Sequence, residues 1–254
     1  MANIIKLRIA GESNIGLIRK NNEDCFGFVE TNSERGSLAV VADGVGGHID
    51  GDLASMITTR ELVRNFLNAA ENPLHSLNDV TNFFKESIAK VNKRIFRRNL
   101  SESLNRPMCT TLVAAAFFDS SIVIANIGDS RMYEFDRDEN ELTQLTVDHT
   151  AIKEYRRNFG KPIEDPETLQ HAIAKAIGTR LDIEPDIKIV KYKPNSIYFL
   201  CSDGCYRYLK PEKTVEFLAQ VQNPREALNF FMRDSLIGGG NDNITIIMIF
   251  PEEK

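Results

Sequence analysis

Apolar residues along this chain follow two different periods. Short runs rich in Val, Ile, Phe and Tyr recur at residues 4–10, 38–42, 111–118, 122–127, 132–135, 187–192, 197–201 and 244–250, the composition that suits a pleated and largely buried surface. Two of them, TLVAAAFF and ITIIMIF, are apolar at consecutive positions. Successive strand residues face opposite ways, so strands of this kind are covered on both faces, as in the core of a sandwich. Elsewhere the spacing turns helical. Ile57, Leu62, Phe66 and Ala70, then Phe84, Ile88, Val91 and Ile95, mark helices over 51–70 and 77–99. Two more are expected over 211–221 and 224–236, each opening on a proline, Pro211 and Pro224, which a first helical turn accepts.

Strands, two long helices, strands and again helices give an α+β order without regular βαβ alternation. The polar, irregular stretch 151–176 reads as a surface insertion or flap. With no internal repeat, low-complexity tract or Pro/Gly/Ser linker, the expectation is a single domain over 1–254.

The formal net charge of −5 argues against nucleic acid as the main partner, since a phosphate backbone calls for a basic footprint. No apolar run approaches the roughly 20 residues that span a bilayer, so no membrane partner is expected. The alternating start MANIIKLRIAG lacks the apolar block of a signal peptide. These features point to the cytoplasm. The cysteines Cys25, Cys109, Cys201 and Cys205 form no CxxC pair, and read as reduced, mostly buried thiols without zinc-ligand spacing. If the backbone stays extended past residue 201, Cys201, Asp203 and Cys205 share a face, with Gly204 the residue that would turn the chain.

Aspartates stand beside glycines at the ends of apolar runs. Asp43 closes LAVVADG, Asp129 follows IVIANIG, Asp203 closes IYFLCSDG, and Asp242 precedes NITII. A strand delivers each carboxylate rigidly to the sheet edge, and the glycine lets a ligand approach the backbone. Hard divalent cations take oxygen donors of this kind, and four carboxylates converging without a cation would repel one another. The segment GLIRKNNED adds Arg19, Glu23 and Asp24 after the first strand; arginine is suited to bidentate binding of phosphate.

Eight motifs in order resemble the protein phosphatase 2C family, in its bacterial single-domain form. They are GLIRKNNED at 16–24, VADGVGGHIDGDLAS at 41–55, CTTLVAA at 109–115, NIGDSRMY at 126–133, LTVDHT at 145–150, AIGTR at 176–180, LCSDG at 200–204 and GGNDNIT at 239–245. The resemblance implies a four-layer α-β-β-α sandwich with two packed, mainly antiparallel sheets. It implies a metal-dependent serine/threonine phosphoprotein phosphatase, in which a water or hydroxide bridging two Mn²⁺ or Mg²⁺ ions attacks phosphorus in line. Carried over by motif, Asp43 bridges the two metals, the Gly44 carbonyl binds one, and Asp203 and Asp242 bind the other. Asp129 and Asp203 frame a third, weaker site. Glu23 and Asp24 hold waters of the metal pair, and Arg19 binds the substrate phosphate.

Where some members carry His directly after the Asp-Gly pair, this chain has Val45, and His48 becomes the candidate general acid, a structural or substrate-contacting role being the alternative. His149 reads as structural. The implied partners are phosphorylated Ser/Thr proteins, targets of a cognate kinase, acted on by a monomer. A two-metal hydrolase of small phosphoesters, or an inactive phosphatase-fold binding module, are the competing readings.

Overall fold

The computed structural model describes residues 4–31, 33, 36–45, 50–68, 74–102, 107–153 and 172–252. Among the described residues, ten strands form two antiparallel sheets of five. One sheet has the order β1 (Leu7–Asn14), β10 (Ile244–Pro251), β9 (Ser196–Cys201), β6 (Arg131–Asp136), β7 (Glu141–Gln144). The other runs β2 (Asp24–Val29), β3 (Ser37–Asp43), β4 (Leu112–Phe118), β5 (Ser121–Ile127), β8 (Asp186–Lys191). The consecutive apolar residues of β4 and β10 are buried on both faces, as their sequence requires.

Three apolar layers explain that burial. Between the sheets lie Val41, Val113, Phe117, Tyr198, Leu200 and Ile247 among others. Outside the β2–β8 sheet, α1 (Gly51–Asn68) and α2 (Leu77–Ser101) bury Leu62, Phe66, Phe84, Ile88 and Ile95. Ser76 caps α2 by accepting from Asp79 N, satisfying one of the unpaired donors of a first helical turn. Outside the β1–β7 sheet, α3 (Asp203–Tyr206), α4 (Pro211–Gln220) and α5 (Pro224–Ile237) bury Leu218, Leu228 and Phe231. The expected four layers are present, and both predicted prolines open helices.

The differences from the expected elements have local causes. β1 begins at Leu7 and continues through polar Glu12, Ser13 and Asn14, because its register is set by pairing with β10, Leu7 opposite Pro251 and Asn14 opposite Ile244. The unpredicted β7 is a short polar edge strand. Asp203 to Tyr206 is helical, so the extended backbone that would align Cys201, Asp203 and Cys205 stops at the end of β9. Cys201, the last residue of β9, and Cys205, within α3, are both buried in the core.

Candidate metal and phosphoryl site

Strand polarity gathers the predicted acids at one end of the sandwich. β2 begins at Asp24 directly opposite Asp43, the last residue of β3. Asp129 follows β5, Asp203 follows β9, and Asp242 precedes β10. Each carboxylate is positioned through its backbone. Asp43 N donates to Thr111 Oγ1 (3.0 Å), while its carbonyl accepts from Thr111 N and Thr110 Oγ1 (both 2.8 Å). Gly44 N donates to Glu23 O (3.1 Å), and Glu23 N donates to Asn243 Oδ1 (2.9 Å), tying the GLIRKNNED segment to the turn before β10. Gly204 lies against that turn: a Cβ there would stand 2.1 Å from Asn243 O.

The turn carrying Asp129 is held by His149. Gly128, at φ 97°, donates its N–H to His149 Nδ1 (3.0 Å), and Gly128 O accepts from His149 N (2.9 Å). His149 therefore has the structural role expected of it. Asp148 beside it accepts both arms of Arg131, at 3.0 and 2.8 Å. The Arg131 guanidinium lies 3.6 Å over the Tyr206 ring, and Tyr206 Oη donates to Asp129 Oδ2 (3.3 Å).

The electrostatics are those of buried like charges. Burial first, with Asp203 and Asp242 contributing, pushes Asp24 up to about 7 against the hydrogen bond it accepts from Ser202 Oγ (2.7 Å). Burial, then Asp24, Asp203, Asp129 and Asp242, raise Asp43 well above the usual carboxylate range. Asp203 is pushed up to about 6 by burial, opposed by Arg207, and Asp129 is also raised, by burial and then Asp148. Four acids are thus raised, each by burial first and then by neighbouring carboxylates.

Two arginines hold part of this charge: Arg207 pairs with Asp203, and Arg19 Nη2 lies 2.7 Å from Asp242 Oδ2. Among the described residues no three His, Cys, Asp or Glu side chains are already closed into a ligand cage. The acids are near enough to raise one another's pKa and are held apart, with arginines on two of them. The donor set nonetheless fits hard divalent cations. It consists of oxygens, and Asp24 Oδ1 and Asp129 Oδ1 are buried without a hydrogen-bond partner.

Arg19, Glu23, Asp24, Asp43, Gly44, Asp129, Asp203 and Asp242 are thus brought to the same end of the fold. His48 lies outside the described residues, as does 154–171 of the flap. The ends of the flap are joined by Ala151 N donating to Ala172 O (2.7 Å) and Ala174 N to His149 O (2.8 Å). Sequence reasoning missed Ser202, Arg207, Tyr206 and Asn243. Asn243 and Ser202 sit inside the recognised motifs, but their partners lie more than 170 residues away in the chain, and no local spacing announces that.

Residues 18–237 match the sequence model of the protein phosphatase 2C family. The chain is 33% identical over 236 residues to a serine/threonine phosphatase, stp, of Listeria innocua, covering 92% of each. The fold superposes on the serine/threonine phosphatase of S. agalactiae with a TM-score of 0.86 at 27% identity, covering 97% of this chain and 100% of the other. It also superposes on the catalytic domain of the serine/threonine protein phosphatase PstP in complex with two manganese ions, with a TM-score of 0.81 at 29% identity, over 99% of this chain and 100% of that one.

Proposed function

The chain belongs to the protein phosphatase 2C family and is a serine/threonine phosphatase, and we propose that Asp43, the Gly44 carbonyl, Asp203 and Asp242 hold its manganese or magnesium pair. Asp129, with Asp203, frames a third, weaker site. The observation that carries this assignment is the gathering of acids from five strand ends, four of which, Asp24, Asp43, Asp129 and Asp203, are raised by burial and by neighbouring carboxylates. Such an arrangement destabilises an empty fold and is relieved by cations. PstP, with the same fold, holds two manganese ions.

The metal pair, when bound, polarises water toward nucleophilic attack at neutral pH and offsets phosphoryl charge. The side chains do the rest. Arg19 exchanges the Asp242 carboxylate for the non-bridging oxygens of the phosphoryl group and orients it for in-line displacement. Asp24, fixed by Ser202, and Glu23, fixed through Asn243, order the solvent that reaches phosphorus. His48 is assigned to protonate the departing serine or threonine oxygen.

The natural partners in this reading are phosphoproteins made by a cognate Ser/Thr kinase in a cytoplasmic signalling pathway, dephosphorylated by a monomer of one domain over 1–254. The described cysteines are all free, which suits a reducing compartment. No helix among the described residues is long and apolar enough to cross a membrane. Nucleic acid is left out of the partner set on the acidic charge of −5.

The test is hydrolysis of a phosphothreonine peptide. Excess chelator abolishes it and Mn²⁺ restores it. Asp43→Asn lowers kcat at saturating Mn²⁺ by about a hundredfold or more, because a neutral amide cannot offset two cations. Full activity in chelator, or wild-type turnover by the variant, overturns the assignment, as does faster hydrolysis of a nucleotide or phosphodiester than of the peptide.

A further inference from the structure

Beside the phosphoryl end stand apolar side chains that none of the three core layers uses. Leu17 is 65% exposed, Ile18 68%, Ile15 39%, and Ile237, the last residue of α5, 77%. Single exposed apolar residues are ordinary on a protein surface, whereas several flanking a reactive centre mark a binding surface.

Two segments present them, and these are laced together. Leu17 N donates to Gly240 O (2.7 Å). Asn243 Nδ2 donates to Ile15 O (2.9 Å) and to Asn21 O (3.0 Å). Gly16, at φ 80°, lies so close that a Cβ would stand 2.3 Å from Asp242 O and 2.7 Å from Gly240 O. One residue past Ile18, Arg19 reaches Asp242. The loop is therefore held at four points on the turn that carries a predicted metal ligand, and the backbone that presents its apolar side chains is tied to the same turn as the phosphoryl-binding arginine.

Resting on the reading given under Proposed function, we propose that Leu17 and Ile18, extended by Ile237, form a ledge that receives an apolar residue flanking the phosphorylated Ser or Thr of the substrate protein. The reach fits. Leu17 lies two residues from Arg19, and an extended substrate advances about 3.3 Å per residue, so a side chain one to three positions from the phosphoresidue falls over the ledge. The neighbouring charge also fits, since Arg19 and Lys20 are exposed and residues 15–20 contain no acid, which disfavours a basic flank. The ledge selects phosphoproteins carrying Leu, Ile, Val, Met or Phe beside the phosphorylated residue.

The experiment compares Mn²⁺-loaded wild type with a Leu17→Ser, Ile18→Ser double variant. Substrates are a peptide with Leu on both sides of phosphothreonine, the same peptide with Ser at those positions, and a blocked phosphothreonine amide with no flanks. Wild type is expected to favour the Leu peptide about tenfold in kcat/KM, the size expected for one well-buried aliphatic contact. The double variant brings the ratio to within about twofold by raising KM for the Leu peptide alone, with kcat and hydrolysis of the amide unchanged. Ile237→Ser lowers the ratio partway.

Equal use of both peptides by wild type, or an unchanged ratio in the double variant, overturns the ledge while amide hydrolysis leaves the phosphatase assignment standing. Failure of wild type on the amide as well removes both. Sedimentation that shows a wild-type dimer dispersed by the same substitutions also overturns the ledge, by assigning the patch to self-association.

Discussion

The metal-free fold should lose stability as pH rises through the range where most proteins are most stable. Asp24 ionises near 7 in the folded chain and Asp203 near 6, against 3.8 for the free side chain. In the unfolded chain both are carboxylates above pH ~4. Between about pH 4 and 7 the native state consequently binds more protons than the unfolded state, and linkage makes stability fall with rising pH across that window. The contribution of the protonated acids is fully present below the unfolded pKa and lost above the folded one, opposite in sign to a salt-bridged carboxylate. For Asp24 alone the displacement is about three pH units, or roughly 4 kcal/mol, which in a chain of this size corresponds to a fall in Tm on the order of 10 °C. Differential scanning calorimetry in chelator at pH 5, 6, 7 and 8 measures it. Asp24→Asn should flatten much of the curve, since the amide carries no charge to desolvate and its oxygen still accepts from Ser202. Millimolar Mn²⁺ should flatten the wild-type curve too. A wild-type Tm in chelator that does not fall between pH 5 and 8, or an equal fall in the Asn variant, would refute the reasoning.

Two further outcomes follow from contacts at the site. Arg19→Ala should raise KM for phosphopeptide by about ten- to a hundredfold with a smaller loss of kcat, and Arg19→Lys should recover little of it because an ammonium lacks the bidentate fork; steady-state kinetics with unchanged KM would remove Arg19 from the phosphoryl site. Gly204→Ala should cost about 1–3 kcal/mol of stability and weaken Mn²⁺ binding, because its Cβ would meet Asn243 O at 2.1 Å; a denaturation midpoint and Mn²⁺ titration that both match wild type would show that the turn yields freely.

The elements legible in the sequence were those whose pattern is fixed by burial on a whole face. β3, β4, β5, β9 and β10 lie under helices or between sheets, so their apolar runs are continuous. β2 was not legible, because Gly27 interrupts its run. That glycine is required by α1: a Cβ there would stand 3.0 Å from both Thr59 and Val63 side chains. β7 has only an edge to satisfy and carries ELTQ. In the site, the ligand carboxylates were legible because an Asp-Gly pair at a strand end is a local signal. Their supports were not. Ser202 reaches Asp24, Asn243 ties down Glu23, and Tyr206 couples Asp129 to Arg131 through contacts made only when distant strands share one end of the sandwich.

Where local rules fail most clearly, the site is found. Between α2 and the loops beside it, buried amides have partners: Asn92 bonds Gly178 N and the carbonyls of Arg180 and Leu181, and Asn99 bonds Met108 and Gly178. At the acid end, carboxylates of one sign are buried together with Asp24 Oδ1 and Asp129 Oδ1 unsatisfied. A folded chain tolerates that cost because the three apolar layers and the backbone ladders over-determine where each strand ends. The acids cannot separate without breaking the sheets that deliver them. The same rigidity that makes the empty site costly keeps it preorganised, so a divalent cation meets donors whose ordering free energy was spent when the sandwich folded.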